Sequence, residues 1–271
     1  MGPISQPAAG APQAADWSPH PPLKMSERDW RIAAIILAAF CLVQIPFLFL
    51  GPGPDTDSQR VMNITVKGLL EDGSYTPSRF TGYPTHEFIT TALYWAGGVP
   101  LANAGTLFMS CLLLWGFIVF CHDHRVPNWQ WLAIGLAAHP VLFCDSACVI
   151  DYVWALALII WGLIALQRGK PIRSGLLFGL AAGARLASAP LIGVLMICVT
   201  LILHRKPRHF LLAAVTAGVV TILLYLPAYF HAGRTLAFLD FAIGNWSWFG
   251  YLIRFIIRNV YFWGVPGSIL L

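Results

Sequence analysis

The chain has 271 residues, 58% of them hydrophobic and 11% charged, with a formal net charge of +5 and a mean hydropathy of +0.69. Soluble domains are about half apolar and a quarter charged, and disordered chains and coiled coils are more polar still, so all three classes are excluded. What remains is an all-α polytopic membrane bundle. At about 20 apolar residues per crossing, the length caps it at roughly seven to nine spans.

Residues 1–24 are rich in Ala, Pro and Gly and lack the apolar core of a signal peptide, which predicts a disordered cytoplasmic tail. Residues 25–271 then form one transmembrane domain. Lys24, Arg28 and Arg31 precede the apolar run 32–50, which puts the N-terminus inside and residue 51 outside. The longest polar connection, 51–86, is the expected outward-facing catalytic loop, with Asp55, Asp57, Arg60, Lys67, Glu71, Asp72 and Arg79. Within it, Val61, Ile64, Val66, Leu69 and Leu70 are expected on one side of a short interfacial helix that ends at Gly73 and Pro77.

The segment 88–96 is too short to settle as a span by itself. The basic groups His122–Arg125, Arg168–Arg173 and Arg205–Arg208 all fall on the cytoplasmic side only if 88–96 does not cross as an independent helix. It then reads as a re-entrant half-helix or as the first part of a kinked span. The resulting spans lie near 32–50, 100–120, 129–144, 152–167, 174–188, 190–204 and 209–229, with an eighth near 255–271, giving 7–8 in all. The aromatic-rich stretch 231–254 is expected at the outer interface. The chain ends "GVPGSILL" inside an apolar run, which reads as a truncated module.

The positive charge is spread among short loops, so it reads as positive-inside bias toward membrane lipids, with no nucleic-acid partner. Six cysteines lie in or beside apolar stretches and read as small hydrophobes. Asn63-Ile64-Thr65 and Asn245-Trp246-Ser247 match the N-glycosylation acceptor pattern. No Walker A, Rossmann glycine pattern, HExxH or GxSxG is present, so soluble nucleotide donors have no visible site.

Chemistry is expected at the rare charges. Asp55 and Asp57, just beyond the first span, offer two carboxylates to an outward pocket, either as general base or as ligands for a divalent cation. Asp145 and Asp151 flank apolar residues at the same predicted surface, where a carboxylate is costly unless it serves a role; helix capping is the alternative. Arg185 stands alone in "GLLFGLAAGARLASAP", placed either to clamp a phosphate or to pair with an acidic residue. "SRFTGYPTHEF" adds Arg79, His86 and Glu87, as site residues or as polar anchors of an interface turn.

In order and spacing these motifs resemble the C-type superfamily of integral membrane glycosyltransferases that use lipid-phosphate-linked sugars, which includes the protein O-mannosyltransferases and the lipid A aminoarabinose transferases. The resemblance covers roughly residues 30–230. It rests on Asp55-Thr56-Asp57, then "VMNITVKGLL", "YTPSRFTGYPTHEF", "DSACVIDYVWALALI" and the Gly-rich helix before Arg185. The first motif here is Asp-Thr-Asp where family members have an adjacent acidic pair, so either Asp is its counterpart. The resemblance implies a polyprenyl or dolichyl phosphate sugar as donor and an acceptor hydroxyl on a glycan, lipid or protein. It further implies inversion at the anomeric carbon, with Asp57 or Asp55 as base and Arg185, with Arg79 or Arg60, on the leaving phosphate. It makes a bacterial inner (plasma) membrane the expected location. Metal dependence varies within the superfamily. The competing expectations are a secondary transporter and a non-catalytic, lipid-binding bundle.

Overall fold

The computed structural model describes residues 25–79, 81–202 and 207–235. The expected tail 1–24, most of the expected outer segment 231–254, Asn245 and the apolar C-terminal run lie outside the described residues. Every regular element among the described residues is helical.

α1 (Glu27–Gln44) starts where Ser26 Oγ accepts a hydrogen bond from the Asp29 amide at 3.1 Å, with Glu27 and Asp29 in the positively polarised first turn. It tightens into a 3₁₀ turn over Ile45–Phe49 at Pro46. α2 (Thr56–Arg60) and α3 (Lys67–Glu71) are joined by a π-helical stretch, Val61–Val66, into one continuous run. The wider π turns rotate the side chains away from ordinary helical spacing. The buried side is therefore Ser58, Val61, Thr65, Val66 and Gly68, while Ile64 and Leu70 are exposed. This corrects the single apolar face expected from Val61, Ile64, Val66, Leu69 and Leu70.

α4 (Pro84–Asp123) is broken at Gly97 and Gly98, and Gly98 adopts φ 66°, ψ −160°, a conformation reserved for glycine. A β-carbon on Gly105 would lie 2.4 Å from Leu93 Cδ1. In a straight helix those residues would be about 18 Å apart along the axis. His86 and Thr106 also both meet Trp154, through an edge-on ring contact at 5.4 Å and an indole N–H donation at 3.2 Å. The first piece is thus folded against the start of the second and does not prolong it.

α5 (Trp129–Ala137) and α6 (Pro140–Asp145) are separated at His139, whose backbone is extended ahead of Pro140. α7 (Tyr152–Gln167), α8 (Pro171–Ala184), α9 (Ala189–Ile202) and α10 (Pro207–His231) follow. Three helices are long and apolar enough to cross a membrane, Glu27–Phe49, Pro84–Asp123 and Pro207–His231, and Tyr152–Gln167 and Leu186–Ile202 are shorter apolar helices. The described residues form an all-helical bundle with three helices of membrane-spanning length.

Two helix pairs set the architecture. The second piece of α4 runs parallel to α7: Trp154 meets Thr106, Trp161 donates to the Leu112 carbonyl at 2.9 Å, and Gln167 meets His124. Arg168 pairs with Asp123 at 2.8 Å, so the basic groups 122–125 and 168–173 share one end of the bundle. α8 runs parallel to α10 along Gly175, Gly179 and Gly183. β-Carbons there would lie 2.6 Å from the Ala213 carbonyl oxygen, 2.6 Å from Val220 Cβ and 2.5 Å from Leu224 Cδ1. Between apolar helices in lipid, such small-residue approach supplies the packing that solvent exclusion supplies in water.

Candidate functional site

At the end of the bundle opposite Arg168, four separate segments bring their charges together. Asp55 caps α2, its Oδ1 accepting from the Asp57 amide at 2.9 Å, which fixes Asp57 in the first helical turn. The Val149 amide donates to the Pro52 carbonyl at 2.8 Å, sewing this loop to the segment that leads into α7. Asp151 ends that segment at the N-cap position of α7, and Arg185 terminates α8 in extended backbone. Arg79 comes from the loop after α3.

Arg79 Nη1 bonds Asp57 Oδ2, and its Nη2 lies 2.5 Å from Asp151 Oδ1. Arg185 Nη1 takes the other Asp151 oxygen at 2.8 Å. The result is one chain of charges: Asp57, Arg79, Asp151, Arg185. Asp151 has no exposed surface, whereas the side chains of Arg79, Asp57 and Arg185 are 10%, 23% and 27% exposed. Each guanidinium also lies over a tyrosine ring, Arg79 on Tyr83 and Arg185 on Tyr152, both 3.9 Å from the centroid. Burial works against the Arg79 charge, but Asp151, Tyr83 and Asp57 together raise its pKa above the ordinary value. A buried carboxylate is tolerable here only because both its oxygens are held by cations.

Asp145 lies beside this network at the end of α6, and its carboxyl is pushed up to about 6, first by burial and then by the like charges of Asp55 and Asp151. Arg60 is exposed and stands outside the network.

Glu87 is fully buried and occupied from within the chain. Its Oε1 accepts from the Ser78 amide at 2.8 Å, from Ser78 Oγ at 2.5 Å and from Thr65 Oγ1 at 3.2 Å. Its Oε2 accepts from Tyr75 Oη at 2.5 Å and the Tyr83 amide at 3.0 Å. Burial, with Glu87 next to it, raises the Tyr75 pKa and keeps the phenol a donor. His86 is also fully buried, its ring edge-on to Trp154 and both ring nitrogens without a partner among the described residues.

The six cysteines are free thiols; Cys144 and Cys198 are exposed and Cys121 is buried. Among the described residues no group of three or more His, Cys, Asp or Glu is arranged to hold a metal ion.

The tertiary structure thus joins Asp57, Arg79, Asp151 and Arg185 into one network, with Asp55 and Asp145 next to it, and sets Glu87, His86 and Arg60 apart. Sequence reasoning overlooked Tyr152, although a tyrosine directly after Asp151 in an apolar context was a visible cue for a stacked cation. The donors Tyr75, Ser78 and Thr65 around Glu87 carried no local signal, because their distances in sequence follow no helical or strand period.

No protein-family model, curated protein or solved structure matches this chain.

Proposed function

We propose that this protein is a membrane glycosyltransferase of seven to eight spans that moves a sugar from a polyprenyl or dolichyl phosphate to an acceptor hydroxyl on the outer face. The reading is supported by one observation above all: Arg185 is held to fully buried Asp151 through Nη1 alone and is the most exposed member of the network. The bonds to Asp151 and to the Tyr152 side chain keep the guanidinium oriented, and the exposed N–H groups beyond them can bind a phosphate.

In the proposed step the acceptor oxygen attacks the anomeric carbon and the bond from that carbon to the phosphate oxygen breaks. The electron pair leaves with the lipid phosphate, and configuration inverts. The acceptor proton passes to a carboxylate. Asp57 is the first candidate: it is partly exposed and, among the described residues, bonded through its side chain only to Arg79. Asp55 and Asp145 are the alternatives. Arg185 and Arg79 offset the charge that grows on the phosphate. The lipid tail remains in the bilayer, so both substrates meet at the membrane boundary.

The test is transfer from radiolabelled polyprenyl-phosphate sugars by the full chain in proteoliposomes, with hexose and aminoarabinose donors. Release of polyprenyl phosphate by the native protein and its loss in Asp57→Asn are expected. No donor consumption with any of these sugars rejects the reading, and full activity in all three of D57N, D55N and D145N rejects the carboxylate base.

A further inference from the structure

The loop that carries Arg79 is held by a single carboxylate one turn inside α4. Glu87 binds the Ser78 amide and hydroxyl on one oxygen and the Tyr83 amide on the other. Those donors bracket Arg79. Between them the Gly82 amide donates to the Arg79 carbonyl at 2.9 Å, and Thr81 and Gly82 both have positive φ, 76° and 75°. For Thr81, a β-branched residue, that conformation is unfavourable and persists only where the surroundings over-determine it. The Tyr75 hydroxyl completes the arrangement, donating to Glu87 Oε2 at 2.5 Å and lying where a β-carbon on Gly82 would meet it at 2.7 Å. Tyr225 of α10 reaches the same place, its Oη 3.1 Å from the Gly82 carbonyl.

We propose that Glu87 is a positioning residue whose carboxylate holds the backbone at Ser78 and at Tyr83, on either side of Arg79, and so aims the Arg79 guanidinium at Asp57 and Asp151. With the Ser78 and Tyr83 amides and the Ser78 and Tyr75 hydroxyls already on its two oxygens, Glu87 has no capacity left for a ligand, and it acts through Arg79. In its effect on a phosphate ligand the proposal rests on the proposed function, where Arg79 faces the lipid phosphate; in its effect on the Asp57–Arg79 pair it does not. Replacing the carboxylate by an amide puts an N–H₂ among donors, which opens one side of the clamp and frees the turn to relax.

The test uses the full chain in nanodiscs and reads two quantities. The first is the coupling between Asp57 and Arg79, from a double-mutant cycle of D57N and R79A on thermal unfolding, run in the native and E87Q backgrounds. The coupling is expected to fall at least several-fold in E87Q; an unchanged coupling overturns the proposal. The second is binding of a polyprenyl monophosphate. E87Q and R79A are each expected to weaken it roughly tenfold, the scale of one charge-assisted hydrogen bond, and the double variant should be no weaker than R79A alone. Additive losses would make Glu87 a merely structural residue and overturn the proposal. Native affinity in R79A would instead reject Arg79 as a phosphate-holding group and leave the coupling result to decide on Glu87. If E87Q does not fold, Glu87→Asp keeps the charge but shortens its reach to Ser78 and Tyr83, and is read by the same two measurements with the same outcomes.

Discussion

Arg185 Nη1 lies 2.8 Å from Asp151 Oδ2, and the two side chains differ in exposure, 27% against none. The carboxylate is the fixed member of the pair and the guanidinium the reachable one. Removing the charge of the fixed member leaves Arg185 without its carboxylate partner and Arg79 with Asp57 alone. Asp151→Asn is therefore expected to destabilise the protein by about 3–5 kcal/mol, the scale of breaking one side of a buried ion pair, read as a lowered unfolding midpoint in detergent. A native midpoint would show that Arg79 and Arg185 find other partners.

Arg185→Lys separates charge from geometry. Lysine keeps the positive charge but not the planar fork, nor the 3.9 Å stacking distance to Tyr152. The expected result is a smaller loss of stability than in D151N, together with weaker binding of polyprenyl phosphate in a direct binding titration. Native phosphate affinity in both R185K and R185A would remove Arg185 from the ligand site.

Asp145 sets a pH window. Its carboxyl titrates near 6 in the folded chain against an ordinary value of 3.8, raised by burial and by Asp55 and Asp151. The folded state therefore holds the proton more tightly than the unfolded state. The contribution of this group is most favourable below about pH 4, declines as pH rises to about 6, and is flat above. Asp145→Asn abolishes that slope. The check is the difference in unfolding midpoint between the native protein and D145N, followed from pH 3.5 to 7.5, where the variant should gain on the native protein as pH rises. Parallel curves would contradict the raised value.

Gly179 and Gly135 make a paired test of the α8–α10 contact. A β-carbon at Gly179 would lie 2.6 Å from Val220 Cβ and 2.9 Å from the Ala217 carbonyl oxygen, whereas at Gly135 it would meet nothing within 4 Å. Gly179→Ala should cost about 1–3 kcal/mol by overpacking. Gly135→Ala should be neutral or stabilising by up to about 1 kcal/mol, because alanine loses less backbone freedom in a helix. Thermal unfolding of both variants in the same bilayer mimic decides it.

Gly98 is the hinge of α4. At φ 66°, ψ −160° no L side chain is comfortable, so Gly98→Val is expected to straighten or unfold the junction and to pull Leu93 away from Gly105. Loss of a Leu93→Cys to Gly105→Cys crosslink in the G98V background, against its formation in the otherwise native chain, is the measurement.

The apolar runs and the sorting of charges were legible because the bilayer imposes length and composition on each span separately. A break between 88–96 and the span from 100 was legible too, from the shortness of the first of the two pieces. What they do was not: whether a kinked segment prolongs its helix or folds back depends on the neighbour it packs on, and here that neighbour is Trp154, about fifty residues away in sequence. The helical run 56–71 was legible as a helix but misplaced in its face, because a π stretch shifts the periodicity by geometry that residue types do not announce.

By itself, then, the sequence determined an oily, all-helical chain with scarce carboxylates on one predicted side and a glycine repeat ahead of Arg185. Each of these is a property of one segment and its solvent. Only the tertiary structure decided which charges meet: that Arg79 bridges Asp57 and Asp151, that Arg185 shares Asp151, and that Glu87 spends both its oxygens on the loop carrying Arg79. Those pairings depend on where separate helices end relative to one another. In a low-dielectric interior each buried charge must find an opposite charge or a set of donors nearby, whatever its distance in sequence.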